Sequence, residues 1–395
     1  MSPSARICFV NATLDATPGA ETTTVRIVGD RIAGVGERPT RGDRVVDLAG
    51  ARLLPGLINA HDHLQFDNFP RTRFRDSHAN VAEWVADVTA HRHRDSQLVA
   101  GISLDVESRL FAGGFKNLLS GVTTVAHHDA YHAAFDAADF PVRVPRHYGW
   151  AHSLGVDGAA GVTASYRATP ADWPWIVHAG EGVDDVAREE FARLEELGCI
   201  RENSLLVHAL GFDTMQMSRL IAAGAAVIWC PSSNVYLFGR TLDPLPLSLA
   251  GRLALGSDSR LSGARDLLDE LRAARDAAPE SAPFLETLVT LHNARLLGLE
   301  DRGALSRGAL ADLVVLPRRP LADVQRAEVR MVMVGGEMRY GDADLAAALG
   351  SDADCAAVVV DGTNKVLARR LVERMETLQW REPGVSLRGT SWKAA

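Results

Sequence analysis

Two histidines separated by a single residue, His61 and His63, are the first chemically suggestive feature of the sequence. They follow an apolar run at residues 53–60 that has the composition of a β-strand. Because residues i and i+2 of a strand point to the same side, the two imidazoles are expected to face the same way. Two imidazoles on one side of a strand are typical of the beginning of a transition-metal site.

Later apolar runs end in the same kind of side chain. His178 follows residues 175–177, His208 follows residues 205–207, and Asp258 comes just after residues 253–257. In a parallel barrel the catalytic groups lie at the carboxyl ends of the strands, so these side chains are expected to meet at one end. Each histidine taken alone could be a solvated or packed residue, but their joint placement predicts one metal site.

The elements that must position these side chains fall into three regions. Residues 56–305 alternate between apolar strands and helices, which predicts a (β/α)8 TIM-type barrel. Short strands at residues 1–55 and 306–347 predict a small β-sandwich formed by the N- and C-terminal segments. Residues 348–395 are predicted to be a helical C-terminal extension. No Gly-x-Gly-x-x-Gly follows a strand, so a dinucleotide-binding fold has no support.

Composition excludes several classes of protein. The 395 residues carry a formal charge of -8, which makes nucleic acid and anionic membranes unsuitable partners. No apolar run reaches the roughly 18–20 residues of a membrane span, and no signal-peptide core follows the first residues. The four cysteines are far apart and form no Cys-x-x-Cys pair, which argues against disulfides and a thiolate zinc site. We therefore expect a cytoplasmic protein.

Taken together, these motifs identify a family resemblance. The chain resembles the amidohydrolase superfamily, in particular its single-metal branch of deaminases and triazine hydrolases, which includes cytosine and guanine deaminase-like proteins. The resemblance extends to about residue 341. The matching segments are 55–63 (PGLINAHDH), 178–181 (HAGE), 207–208 (VH), 230–234 (CPSSN), 256–259 (GSDS) and 303–316 (GALSRGALADLVVL).

The resemblance implies roles for the individual side chains. The metal ligands that it implies are His61, His63, His178 and Asp258. They would hold one divalent transition metal, with zinc preferred to ferrous iron, which activates a water molecule for attack. Asp258 is also implied as a catalytic residue.

Glu181 and His208 are the other catalytic residues that the resemblance implies. They would handle the attacking water, the substrate and the proton. The alternative for Glu181 is a solvated carboxylate at the start of the helix near residue 184, because acids favour helix N-termini.

A single metal is favoured because the two-metal branch of the family uses a carboxylated lysine at the end of a middle strand. Here the corresponding strand, residues 123–126, ends in His127, His128 and Asp129. Lys116 lies earlier, on a helix spanning about residues 98–119, and is expected on the surface. The 50 residues from His128 to His178 must hold two βα units, so one unit is expected to be shortened.

Substrate contacts are predicted less directly. Adjacent strand residues point in opposite directions, so only one of His127 and His128 should face the lumen, and His128 is chosen. His152 follows a predicted strand at residues 143–151. Arg73 lies in a loop at residues 65–75 that is rich in arginine and phenylalanine, and Asn234 belongs to the family-like segment 230–234. Packing, helix capping or a surface loop anchored by its phenylalanines are the alternatives.

The predicted function is hydrolysis of a non-peptide C–N bond in a small molecule. Deamination of an amino-substituted heterocycle or amidine is favoured, because expulsion of an amine needs a proton donor and Glu181 could supply it. Ring opening of a cyclic amide or amidine is the nearest alternative, and loss of a halide is a weaker one. A catalytically silent barrel that keeps its metal is the alternative from another class. A homodimer is a further possibility.

Overall fold

A mixed β-sheet begins at the N-terminal end of the computed structural model, which describes residues 5–17, 19–378 and 380–387. Its first strands are β1 (Arg6–Thr13), β2 (Thr22–Val28), β3 (Arg31–Val35), β4 (Arg44–Asp47) and β5 (Arg52–Pro55). β1 lies between β2, which is antiparallel to it, and β4, which is parallel to it. One face of this sheet is packed around its own hydrophobic cluster, which includes Phe9, Ile27 and Leu53.

The barrel strands follow in chain order. They are β6 (Leu57–Asp62), β7 (Val122–His127), β8 (Gly149–Ser153), β9 (Trp175–Ala179), β10 (Ser204–His208), β11 (Ala226–Trp229) and β12 (Leu253–Leu255). β6 pairs in parallel with β7, and β8 to β12 pair in order as a parallel sheet. Residues of β6, β7 and β10 to β12 are buried throughout, as expected for parallel strands covered on both faces.

The third strand position is reduced to a single residue, Arg143. It forms a parallel bridge with Thr124, in which the Arg143 N–H donates to the Thr123 carbonyl at 2.8 Å and the Val125 N–H donates to the Arg143 carbonyl at 2.9 Å. The predicted strand at residues 143–151 is therefore displaced, and its regular part is β8. With this bridge included, the predicted (β/α)8 barrel is confirmed, and the shortened unit lies between β7 and β8.

Helices alternate with the barrel strands along the chain. They are α1 (Val81–His91), α2 (Ser96–Ser103), α3 (Val106–Leu119), α4 (Leu154–Ala168), α5 (Asp185–Glu196), α6 (Thr214–Ala222), α7 (Pro231–Phe238), α8 (Leu245–Leu249), α9 (Leu267–Ala277), α10 (Leu285–Leu288) and α11 (Leu291–Leu296). The single helix predicted at residues 98–119 is wrong. Asp105 accepts the Ser108 N–H and begins α3 as its N-cap, so the chain breaks there.

The C-terminal part of the chain returns to the first sheet. It contains β13 (Leu313–Leu316), β14 (Met331–Val334), β15 (Glu337–Gly341), α12 (Ala343–Leu349), β16 (Cys355–Val360), β17 (Thr363–Ala368), α13 (Arg369–Leu378) and β18 (Val385–Leu387). β13 pairs with β5, which joins the two ends of the chain in one sheet. The predicted β-sandwich, formed by the N- and C-terminal segments of the chain, is confirmed.

The helical extension predicted from residue 348 onward is largely wrong. β16 and β17 form an antiparallel hairpin that pairs with β15, and the longest helix in this region is α13. The hairpin turn is made by Asp361 and Gly362, both with positive φ, which suits a tight two-residue turn. Residue 379 and residues 388–395 of the predicted extension lie outside the described residues. In the described part of the chain, the helices are too short or too polar to cross a bilayer.

Candidate metal centre and active site

Three imidazoles meet at the carboxyl ends of the barrel strands. His61 lies on β6, His63 follows directly after it, and His178 lies near the end of β9. One nitrogen from each ring can be chosen so that all three lie within 4.8 Å of one another. The Nε2 atoms of His63 and His178 are 3.2 Å apart. The strand ends therefore bring together the three histidines that the sequence predicted as metal ligands.

Asp258 brings a carboxylate to the same point from the segment after β12. Its Oδ1 lies 3.9 Å from Nε2 of His61 and 3.9 Å from Nε2 of His63. The Ser259 N–H donates to Oδ1 at 2.7 Å, and the Ser262 hydroxyl donates to Oδ2 at 2.9 Å. Burial acts to raise the pKa of Asp258, but the surrounding imidazoles and the Ser259 N–H outweigh it and lower the pKa to about 2. The fourth predicted ligand is therefore held as an anion.

The proton of the His61 ring is placed by a chain of hydrogen bonds through His128. Nε2 of His128 lies 2.8 Å from the Ala151 carbonyl oxygen, which can only accept, so this nitrogen carries the proton. Burial lowers the pKa of His128 and of His61 well below the usual value, so both rings are neutral. Nδ1 of His128 must then accept from Nδ1 of His61, 3.3 Å away. This leaves a lone pair on Nε2 of His61, directed toward the site.

His178 is oriented in a similar way. Its Nδ1 donates to the carbonyl oxygen of His152 at 2.8 Å, so its Nε2 also carries a lone pair. Among the described residues, Nε2 of His61 is buried without a hydrogen-bond partner. Three imidazoles and a carboxylate, with the unprotonated Nε2 atoms of His61 and His178 facing the site, form a donor set that fits Zn²⁺ or Fe²⁺.

Glu181 and His208 lie beside these ligands. Oε1 of Glu181 is 3.4 Å from Nε2 of His208. Burial, followed by the nearby charges of Asp258 and Glu190, raises the pKa of Glu181 well above its usual value. Burial therefore favours the neutral form of the Glu181 carboxyl, which is the form that a proton donor needs.

The His208 side chain is oriented by Asn234. Nδ1 of His208 donates to Oδ1 of Asn234 at 2.9 Å, and Nδ2 of Asn234 donates to the Thr241 hydroxyl at 3.2 Å. His208 and Asp258 also have positive φ angles of 72° and 50°. Such strained backbone in residues other than glycine is concentrated at functional sites.

The residues that were predicted to contact the substrate have different surroundings in the structure. Asn234 is fully buried and acts on His208, and both ring nitrogens of His128 are engaged within the protein, so neither side chain offers the free polar group that was expected. Arg73 donates to the carbonyl oxygens of Asp76 and Tyr236 and lies over the Tyr236 ring, so its guanidinium is committed locally.

His152 is the predicted contact whose ring keeps its nitrogens free. No described residue forms a hydrogen bond with the ring, which is half-buried and packs 4.9 Å from the Trp150 ring, centroid to centroid. His127, as expected from strand alternation, faces the opposite way and packs against Phe135.

Lys116 was expected on the surface, and this prediction is wrong. Its side chain is completely buried, and Nζ lies 3.0 Å from Oδ2 of Asp62 and 2.7 Å from Oδ1 of Asp67. A signal was present in the sequence, since two glycines precede Lys116 by two and three residues on the same helix. A Cβ on Gly113 would lie 2.5 Å from the carbonyl oxygen of Leu64, so α3 needs glycine to approach the segment after the histidine pair.

Comparison with known proteins agrees with this site. Residues 161–339 match the model of the amidohydrolase family. A 5-methylthioadenosine/S-adenosylhomocysteine deaminase of Natronomonas pharaonis is 27% identical, over 84% of this chain and 90% of its own length. A protein of the same name from Halobacterium salinarum is 28% identical, over 73% of this chain and 79% of its own length.

Solved structures show the same fold. An atrazine chlorohydrolase of Arthrobacter aurescens TC1 complexed with zinc superposes with a TM-score of 0.66 at 18% identity, covering 84% of this chain and 94% of its own. An adenosine deaminase of Xanthomonas campestris with bound zinc gives a TM-score of 0.65 at 20% identity, and the match covers 95% of this chain and 100% of that protein's chain.

Fold and site together define a metal-dependent hydrolase that acts on C–N bonds. Residues 161–339 match the amidohydrolase family and the two relatives named above are deaminases, so the predicted resemblance is confirmed. The alternative of a catalytically silent barrel loses its support.

Proposed function

We propose that this protein removes the amino group from an amino-substituted aromatic heterocycle, with adenine-type nucleosides as the first candidates. The observation that carries this proposal is the position of Glu181, a buried carboxyl 3.4 Å from Nε2 of His208, whose neutral form burial favours. Release of an amine from a ring carbon needs a proton donor, and a solvated carboxylate could not supply it at neutral pH. The names of the relatives, which refer to deaminases of adenosine derivatives, support the choice of ring.

In this proposal His61, His63, His178 and Asp258 hold one divalent transition metal. Zinc is preferred to iron, because solved structures of this fold contain it. The chemistry that such a metal supplies is activation of water as a nucleophile near neutral pH. The Nε2 lone pairs of His61 and His178 need no deprotonation before they bind it.

The remaining steps belong to the side chains of the chain itself. Asp258 accepts a proton from the attacking water as the new C–O bond forms at the ring carbon. Glu181 donates its proton to the adjacent ring nitrogen. The proton held by Asp258 then passes to the amino group, the C–N bond breaks and ammonia leaves. The proton of the new hydroxyl group returns to Glu181 as the ring carbonyl forms. His208, held by Asn234, orients the water and the substrate through its free Nε2. His152 is proposed to contact the substrate.

Ammonia release from a substrate panel tests the proposal. The panel contains 5′-methylthioadenosine, S-adenosylhomocysteine, adenosine, aminopyrimidines, pterins and aminotriazines, with cyclic ureas and amides as the ring-opening arm. We expect ammonia from at least one amino-substituted ring and a hypoxanthine-type product from adenine substrates. Turnover of the cyclic amides without ammonia release would show that the enzyme opens rings, and the proposal of deamination would be wrong.

The homodimer and the cytoplasmic location stay predictions.

A further inference from the structure

A buried ammonium group lies directly behind the metal ligands, where the proposed reaction does not use it. Nζ of Lys116 is 3.0 Å from Asp62 and 2.7 Å from Asp67, and all three side chains have no solvent exposure. The Ser257 hydroxyl at 3.4 Å and the Asp258 carbonyl at 3.5 Å complete its surroundings. A cation at this depth is tolerated only because carboxylates and carbonyl oxygens replace water around it.

The partners of Lys116 come from the two chain segments that carry three of the proposed metal ligands. Asp62 lies on β6 between His61 and His63, with its side chain on the opposite face of the strand. The Ser257 hydroxyl and the Asp258 carbonyl belong to the segment after β12. One ammonium group therefore connects the end of β6 with the end of β12.

Asp67 makes the same connection a second time. Its Oδ1 accepts from Nζ of Lys116 and also from the backbone N–H of Arg260, at 2.9 Å. Asp67 follows His63 by four residues, and Arg260 follows Asp258 by two residues. The described strands β6 and β12 are not paired in a sheet, but their ends are joined by single hydrogen bonds. The Asp258 N–H donates to the His61 carbonyl at 3.1 Å, and the Ser257 N–H donates to Oδ1 of Asn59 at 3.0 Å. The Lys116–Asp67 pair adds buried charged contacts to these bonds.

We propose that Lys116 and Asp67 are positioning residues of the metal centre, which set the separation between the imidazoles of His61 and His63 and the carboxylate of Asp258. Neither side chain reaches solvent or a substrate, so they act only through the ligands. The inference rests on the proposed function, because it assumes that these residues bind a metal. Without the contacts of Lys116 and Asp67, the ends of β6 and β12 are joined by fewer bonds, and we expect the four donors to match one ion less closely.

The test compares Lys116→Met with Lys365→Met as a matched control. Lys365 is also buried and pairs with Asp342 at 2.6 Å, but it lies in the sandwich. Zinc affinity is measured by competition with a chelator, and the visible absorption of the Co²⁺-loaded protein reports coordination geometry. We expect Lys116→Met to bind zinc about 10- to 100-fold more weakly, with an altered Co²⁺ spectrum. Lys365→Met should lower the melting temperature and leave both metal readouts unchanged.

A second variant separates positioning from folding. Asp67→Asn keeps the Lys116–Asp62 pair, so it should fold even if Lys116→Met does not, and we expect it to bind zinc several-fold more weakly. Folded variants at positions 116 or 67 with the zinc affinity and Co²⁺ spectrum of the wild type would overturn the inference. A wild-type protein that binds no zinc would instead overturn the proposed function, so the two failures are distinguishable.

Discussion

A single buried carboxyl distinguishes this site from a simple metal-binding cluster. Glu181 lies 3.4 Å from Nε2 of His208 and is largely buried, and its neutral form is the one that burial favours. The raised pKa means that Glu181 keeps its proton to a higher pH than an ordinary glutamate and loses it as the pH rises further. Activity that depends on this proton is therefore expected to decline on the alkaline side.

Glu181→Gln removes the proton donor and keeps the shape of the side chain. We expect zinc content to be retained and kcat to fall by about 100-fold or more, which is the usual size of an acid–base contribution. The control is Glu189→Gln, an exposed position on α5 that should keep full activity. Wild-type turnover by Glu181→Gln would remove Glu181 from the mechanism.

The neighbouring pair His127 and His128 offers a matched comparison of two faces of one strand. His128→Phe removes the acceptor for Nδ1 of His61, so His61 can adopt the other tautomer, and zinc binding should weaken by about 10-fold. His127→Phe removes the packing against Phe135 and a hydrogen bond to the Asp62 backbone but leaves the acceptor for Nδ1 of His61 in place, so it should weaken zinc binding less than His128→Phe does. Chelator competition measures both, and equal affinities for the two variants would contradict the assigned tautomers.

Elements are joined at this end of the barrel by buried side chains as well as by sheet hydrogen bonds. Glu270 on α9 is fully buried, and its Oε1 accepts the Ser232 N–H at the start of α7 at 2.8 Å. Burial raises the pKa of Glu270 to about 8, even though the Ser232 N–H and Arg71 act in the opposite direction. The carboxyl group is therefore largely protonated in the folded protein at neutral pH.

This shift predicts a pH dependence of stability. Between the ordinary glutamate pKa of 4.5 and about 8, the folded state binds a proton that the unfolded state has lost, so stability falls as the pH rises through this window. Glu270→Gln stays neutral, so relative to wild type it should gain stability from pH 5 to pH 8. The gain should reach a few kcal/mol, since each pKa unit corresponds to about 1.4 kcal/mol.

Urea unfolding of the two proteins with a chelator present measures this difference without a contribution from metal. Glu280→Gln, at an exposed position, is the control and should follow the wild type at every pH. A constant difference between wild type and Glu270→Gln over this range would show that Glu270 does not titrate as described.

The sequence predicted the proposed metal ligands better than it predicted the residues and elements that surround them. His61, His178 and Asp258 each stand at the end of an apolar run, and strand ends in a parallel barrel share one position in space. The burial of Lys116 depends on how closely α3 approaches the segment after β6, which is a tertiary distance that helix periodicity does not contain. The hairpin of β16 and β17 was missed because its alanine-rich flanks resemble a helix, although Asp361 and Gly362 mark a turn.

At the scale of the whole molecule, buried charges continue from the metal centre to the C-terminal segment. Arg260, two residues after Asp258, forms a double hydrogen bond with Glu382, and Arg326 pairs with the same carboxylate. Glu382 has no side-chain exposure. The C-terminal segment thus neutralises two arginines, one of which lies next to the proposed ligand loop.

Glu382→Gln is expected to lower the free energy of unfolding by about 3 kcal/mol or more, because it leaves the buried Arg260 guanidinium without its counter-charge and Arg326 with Asp361 alone. Denaturant unfolding of the full chain measures this loss. The control, Glu376→Gln at an exposed position of α13, should unfold like the wild type. A Glu382→Gln protein as stable as that control would show that Arg260 and Arg326 find other partners.

The first of the two connections between sandwich and barrel is a single residue. β5 ends at Pro55 and β6 begins at Leu57, and Gly56 between them is held by its N–H on the Asp312 carbonyl at 2.7 Å. A Cβ at this position would lie 2.2 Å from the Thr123 hydroxyl, so only glycine fits there. At this connection no loop separates the sandwich from the barrel, and a displacement of β5 would act directly on the strand that carries His61.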